Sequence, residues 1–255
     1  MTPVLRTLRA AWRLAKCGVH IGSGVVRCAV IYPFIEPHQR LVQTGRWCAK
    51  MARVLGMQIH GSGVSHSGPV LLVANHISWL DILAINAVHP ARFVSKSDVR
   101  AWPLLGWLVA GGGTLFIERE RKRDALRVVH QIAEALKQGD TIAMFPEGTT
   151  GDGRSLLPFH ANLMQAAVAT STPLQPIVLR YVDADVQPSR AVVWVGDTTL
   201  ATSLWQVASA DRLQVFVTQL STVTTHGRDR RELAEQVRGQ IAAALGLEAS
   251  SLTKH

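Results

Sequence analysis

His76 stands five residues before Asp81 in the run Asn75-His76-Ile77-Ser78-Trp79-Leu80-Asp81, and further on the chain reads Phe145-Pro146-Glu147-Gly148-Thr149. A histidine with a carboxylate in reach forms a base and the group that orients it. A loop with backbone N–H groups and a second carboxylate can stabilise an acyl-transfer intermediate. Together they are the equipment for deprotonating a hydroxyl and helping it attack an acyl carbon. Each motif follows a short apolar run, residues 70–74 and 141–145. Such runs, bounded by turn residues, read as buried strands. Both motifs therefore fall where strands end, the edge on which α/β sheets build their sites.

Spacing alone is a weak signal. With ten His and ten Asp in 255 residues, chance supplies about 0.4 pairs at this separation. The same residues also suit a polar helix start, with Ser78 or Asn75 as N-cap and Asp81 in the first turn. Five helical residues turn through about 500°, which would leave His76 and Asp81 about 140° apart. The pair works only if His76 lies in the turn before the helix.

Other blocks follow in order. Gly113-Thr114-Leu115-Phe116-Ile117-Glu118-Arg119 lies between the two motifs, and Leu174-Gln175-Pro176-Ile177-Val178 follows them. Lys96, in Val94-Ser95-Lys96, precedes the Gly113 block. With these blocks the chain resembles the glycerolipid acyltransferases, the 1-acylglycerol-3-phosphate O-acyltransferases and their relatives, over about residues 65–200. The resemblance implies a fatty acyl transfer from a thioester of coenzyme A or acyl carrier protein to a lysolipid hydroxyl, with no cofactor. It implies His76 as general base and Asp81 as its partner. Arg119 would bind an anionic group of the acceptor, and Glu147, Gly148 and Thr149 would shape the acceptor site. Glu147 has two further readings, as a helix cap or as a partner of Arg119. Lys96 would help bind acceptor phosphate or donor.

Thr150 departs from the Arg or Ser usual after Phe-Pro-Glu-Gly-Thr. Lysophosphatidate, which would become phosphatidate, is the family's default acceptor. The run from Phe145 to Gly153 also looks like the lyso-ornithine-lipid acyltransferase branch. From another class come a peripheral lipid-binding protein without catalysis and, more weakly, a thioester hydrolase. The intact His76/Asp81 pair argues against the former.

The net charge of +9 is uneven. Residues 1–60 hold nine Lys or Arg against Glu36 alone, and the remainder is nearly balanced. Arg6, Arg9, Arg13 and Lys16 step by three or four along one face of a helix that opens at Thr2-Pro3. Val4, Leu5, Leu8, Trp12, Ala15 and Val19 take the other side. Arg46, Lys50 and Arg53 repeat the design opposite Leu41, Cys48, Met51 and Leu55, after a break at residues 32–37. Basic amphipathic helices suit an anionic membrane surface. We expect residues 1–60 to be a membrane-association segment and residues 61–255 an α/β acyltransferase domain. The whole should sit peripherally or monotopically on the cytoplasmic face of the cell inner membrane.

No nucleic-acid module accompanies the basic residues, so nucleic acid is not an expected partner. Residues 17–35 approach a membrane span in length, but Arg27, His20 and several Gly interrupt them. Cys17, Cys28 and Cys48 lack CxxC spacing, and the histidines lack metal-ligand spacing. No Gly-x-Ser-x-Gly serine elbow occurs.

After residue 65 apolar runs and amphipathic stretches alternate. Strands are expected at 70–74, 92–95, 114–117, 141–145, 174–181, 191–195 and 213–218. Helices are expected at 78–87, 98–109, 121–138, 160–170 and 229–245. The helix over 121–138 should bury Leu126, Val129, Ala133 and Leu136. Trp102, Leu104, Leu105, Trp107 and Leu108 read first as core, with part of a membrane face and acyl entry as the alternative. The fold class is therefore α/β, a buried mixed sheet flanked by helices, preceded by the two-helix amphipathic segment.

Overall fold

In the computed structural model, residues 2–102, 104–117, 122–184 and 186–247 are described. Seven strands form one mixed sheet. In chain order they are β1 (Gln58–Gly63), β2 (Val70–Ala74), β3 (Arg92–Lys96), β4 (Leu115–Ile117), β5 (Thr141–Met144), β6 (Leu174–Val182) and β7 (Gln214–Gln219). Across the sheet they run β1-β7-β6-β2-β5-β3-β4. All neighbouring pairs are parallel except β6 with β7. The run β6-β2-β5-β3-β4 thus ends along a single edge, and the turns after β2 and β5 that carry His76 and Glu147 fall on it.

Helices cover both faces. α1 (Pro3–Val26), α2 (Pro37–Leu55), α3 (Leu80–Val88) and α7 (Leu200–Ser209) lie on one; α5 (Lys122–Lys137), α6 (Gln165–Thr170) and α8 (Arg230–Leu245) lie on the other. The short α4 (Leu105–Gly111) precedes β4. The strand period of two divides β2 between the layers. Val70, Leu72 and Ala74 pack with α2 and α3, while Leu71 and Val73 pack with α5 and α8. A strand buried on both faces is continuously apolar, as the sequence suggested.

Residues 1–60 are not a separate appendage. Cys17 of α1 and Cys48, Met51, Ala52 and Leu55 of α2 belong to the same core cluster as the sheet. The expected boundary after residue 60 runs through β1, which pairs with β7 from Gln58 to Gly63. α2 opens with a capping box of Glu36 and Gln39. It closes at Gly56, whose φ is 84°; a Cβ there would lie 2.1 Å from the Arg13 guanidinium. Glycine is needed both for the left-handed cap and for the arginine that crosses it.

The docking of α1 inverts the expected polarity. Arg6 Nε donates to the Ser209 carbonyl at 3.2 Å, and Arg13 donates to Ala208 and Ala210 carbonyls at 2.9 and 3.0 Å. Arg9 reaches the Ser209 and Ala210 carbonyls and pairs with Asp211 at 2.7 Å. These arginines bond to protein carbonyls. They satisfy the open carbonyls and negative dipole end of α7. Ala10, Cys17 and Gly24, one every seven residues, let α1 approach closely. Val4, Leu5, Leu8, Trp12 and Val19 are left outward, each more than half exposed.

Other expectations change as well. Residues 191–195 form no strand; a 3-10 turn, Arg190–Val192, and an extended stretch cross the sheet end instead. There the Trp194 N–H donates to the Ile77 carbonyl at 3.3 Å. The helix expected over 98–109 is a 3-10 turn, Ser97–Ala101, followed by α4. Trp102, Leu104 and Trp107 are 40–61% exposed and are not core. α5 buries Val128, Ile132, Ala133, Ala135 and Leu136, and turns Leu126 out. Its buried stripe is thus rotated from the expected one.

Candidate active site

His76 sits in the turn between β2 and α3, outside the helix, as pairing with Asp81 requires. Its Nδ1 lies 2.8 Å from Asp81 Oδ2. The same oxygen accepts the N–H of Ile77 at 2.7 Å and of Ser78 at 2.9 Å. Asp81 therefore caps the loop that carries its own partner. Neither Asn75 nor Ser78 is the cap. Asn75 extends the sheet, its side chain exchanging both bonds with the backbone of Leu179 at 2.8 and 3.1 Å. Asp81 has no solvent exposure, whereas the His76 side chain keeps 18%. With Nδ1–H committed to the carboxylate, Nε2 is the ring's accepting nitrogen.

The second motif braces the first. The Phe145 ring stacks on His76, centroids 3.9 Å apart and planes at 9°. Glu147 Oε1 accepts the His76 N–H at 2.7 Å, and the His76 carbonyl accepts the Gly151 N–H at 2.8 Å. Glu147 Oε2 accepts the Leu157 N–H at 3.0 Å. Gly148 turns the chain at φ 71° and donates to the Phe145 carbonyl. Glu147 is 4% exposed, so its carboxylate is spent on backbone donors of two loops and faces no open pocket. Arg238 of α8 donates to the carbonyls of Leu156 and Leu157 at 2.8 and 3.0 Å. One bonded path thus runs from α8 through Leu157 and Glu147 to His76.

Two of the other expected residues lie along the same edge. Thr149 and Lys96 are exposed. Lys96 ends β3 in register with Ile117, the last residue of β4. Arg119 lies outside the described residues. Thr150 donates its hydroxyl to the Trp194 carbonyl. Two partners of the pair escaped the sequence reading. Phe145 was in view as a strand end and the first residue of the second motif, with no role of its own. Tyr181 is 100 residues from Asp81, yet donates its hydroxyl to Asp81 Oδ1 at 2.7 Å.

Burial pushes the Glu147 carboxyl up to about 7, against two backbone donors and the nearby His76 that favour its charge. Below a free glutamate's 4.5, folded and unfolded chains both hold the proton. As pH rises the unfolded chain releases it first, so stability falls from about 4.5 to about 7 and then levels. That gap corresponds to on the order of 3 kcal/mol. Urea unfolding of the parent should lose that much across the window relative to Glu147→Gln. A parallel pH dependence in the two proteins would exclude it.

Residues 56–180 match the model of the family described as Acyltransferase. The chain is 38% identical over 207 residues to a lyso-ornithine lipid O-acyltransferase of Pseudomonas aeruginosa, covering 81% of this chain and 79% of that protein. It is 33% identical over 200 residues to a 1-acyl-sn-glycerol-3-phosphate acyltransferase of Neisseria gonorrhoeae, covering 76% of each. Its fold matches the crystal structure of the 1-acyl-sn-glycerophosphate acyltransferase of Thermotoga maritima, with a TM-score of 0.72 over the full length of both chains at 20% identity. The chain belongs to the acyltransferase family. It is an enzyme of acyl transfer, and these relatives are named for lysolipid acceptors.

Proposed function

We propose that the enzyme acylates a lysolipid hydroxyl at a membrane surface, with His76 as the base. The observation that carries the reading is the His76–Asp81 contact at 2.8 Å with Nε2 left free and the ring still reachable. Nε2 takes the proton from the acceptor hydroxyl, and Asp81 stabilises the imidazolium. The oxygen attacks the thioester carbonyl and forms the new ester bond as the carbon–sulfur bond breaks. The departing thiolate takes the proton back from His76. The donor is an acyl-coenzyme A or acyl carrier protein thioester, and no acyl-enzyme is required. Thr149 and Lys96, exposed at this edge, and Arg119, outside the described residues, bind the acceptor headgroup or the donor. Glu147 and Gly148 hold the loop.

Of the two acceptors, Thr150 favours lyso-ornithine lipid. The position that would carry a cation for a phosphate holds a neutral hydroxyl, tied to the Trp194 carbonyl. The Pseudomonas relative's name points the same way. Lysophosphatidate remains the second reading on the Neisseria relative's name. Purified enzyme with each lysolipid and a radiolabelled acyl thioester decides between them. Turnover of lyso-ornithine lipid should exceed that of lysophosphatidate at least tenfold; the reverse order would overturn the choice of acceptor.

The helical run Pro3–Phe34 is long and apolar enough to span a bilayer by length and composition. Yet one side of it is bonded to α7, and its His20 and Trp47 of α2 exchange bonds through their backbone carbonyls. A helix so held cannot also be ringed by lipid. We place it in the interface plane, apolar face down, with the protein on the cytoplasmic side of the inner membrane.

A further inference from the structure

Asp81 is fully buried, and its carboxylate has two oxygens to satisfy. Three donors converge on Oδ2: His76 Nδ1, Ile77 N and Ser78 N. Oδ1 takes the Tyr181 hydroxyl at 2.7 Å, and among the described residues no other donor to it is found. A buried anionic oxygen without a donor is costly, and a carboxylate is free to turn about its last bond. The Tyr181 bond opposes both. β6 grips the catalytic loop at two alternate residues. Leu179 holds Asn75 through its backbone, and Tyr181, two residues on and on the same face, holds Asp81.

We propose that Tyr181 is a positioning residue: its hydroxyl fixes Asp81 with Oδ2 toward His76 and tempers the carboxylate's hold on the ring. This rests on His76 being the base. A donor on Oδ1 draws charge from the carboxylate and weakens its hold on an imidazolium. Removing that donor should therefore strengthen the carboxylate's hold on the imidazolium. The phenol itself stays protonated, because burial and the Asp81 charge hold its ionisation well above the usual tyrosine range. Titratable side chains facing the pair come from three elements: Asp81 on α3, Glu147 after β5 and Tyr181 on β6. Burial pushes the Glu147 carboxyl up to about 7, so a rate profile alone cannot assign the group. The His76 ring must be read directly.

The experiment is Tyr181→Phe, with the His76 ring titrated by NMR and kcat/KM measured against pH. The ring midpoint should rise by about 0.5–1 in pH, and kcat/KM at neutral pH should fall about threefold to tenfold. The acid limb of the rate profile should move up with the ring. The chain has only two tyrosines, Tyr32 and Tyr181, which permits a second arm. In a Tyr32→Phe background, ring-fluorinated tyrosine labels position 181 alone. Its more acidic hydroxyl donates more strongly, so the His76 midpoint should fall. Opposite displacements in the two proteins establish the role; an unmoved His76 midpoint overturns it, and a purely packing role predicts that outcome. Should Tyr181→Phe fail to fold, the fluorinated chain, which keeps the side chain's shape, decides alone. His76→Ala tests the base assignment separately, and the ring titration stands whatever that variant's turnover.

Discussion

Replacing His76 with alanine should lower acyl transfer by about 10²–10⁴-fold, the contribution usual for a general base. Fold and thermal stability should change little. The ring is partly exposed at the sheet edge, and its one side-chain hydrogen bond goes to Asp81. Asp81→Asn should be similarly severe, for a different reason. The amide can offer its nitrogen to Nδ1 and so favour the tautomer with the proton on Nε2, where it blocks the base. Among the described residues it also replaces the only carboxylate hydrogen-bonded to the ring. Unlike His76→Ala, Asp81→Asn should cost stability, because Oδ2 accepts the Ile77 and Ser78 N–H groups and Oδ1 the Tyr181 hydroxyl. Single-turnover rates with lysolipid and thioester, beside urea melts, separate the two effects. Near-parental turnover of His76→Ala on either lysolipid would remove His76 as the base.

The His76–Asp81 contact was legible because its information is local. Five residues, one strand end and one helix start fix where His76 and Asp81 meet, and the continuous apolar runs of β2 and β5 announce buried strands. Tyr181 was not legible. Inside the apolar run of β6 it reads as core, and it becomes a partner of Asp81 only because β6 lies beside β2. Strand β1 was missed because Gln-Ile-His-Gly-Ser-Gly, at the sheet edge, lacks apolar alternation. Glu147 was identified as a residue of the site, but its place between two backbone donors depends on Leu157 folding back across the edge. The family blocks name residues that cluster. They do not say which of them touch substrate and which hold the loops.

The N-terminal helix shows a different limit. Periodicity tells which residues share a face; it does not tell which face looks outward. Basic residues usually face water or lipid headgroups, yet Arg6, Arg9 and Arg13 turn inward because α7 ends there with open carbonyls and Asp211 waits beside them. What faces out is the apolar stripe, followed by Val26, Val30 and Phe34 and joined in exposure by Trp102 and Trp107. Any preference for anionic lipid then falls to Lys16 and to exposed Arg46, Lys50 and Arg53.

The two faces of α1 should therefore fail in different assays. Replacing Leu5, Leu8, Trp12 and Val19 with serine should lower vesicle partitioning by about 100-fold or more. Each such side chain is worth about 1.5–3 kcal/mol when fully removed from water, and even partial insertion of four exceeds the roughly 3 kcal/mol that a hundredfold represents. The loss should appear on zwitterionic and anionic vesicles alike, with little change in stability, since those side chains touch little protein. Replacing Arg6, Arg9 and Arg13 with glutamine should do the converse. Charge-assisted bonds to the α7 carbonyls are lost, at about 1–3 kcal/mol of stability, while vesicle binding stays within a few-fold of the parent. Sedimentation with vesicles of both compositions, beside urea unfolding of each variant, reads both faces. If the arginine variant lost binding to anionic vesicles at unchanged stability, the arginines would be headgroup contacts after all, and α1 would have to swing off α7 at the membrane.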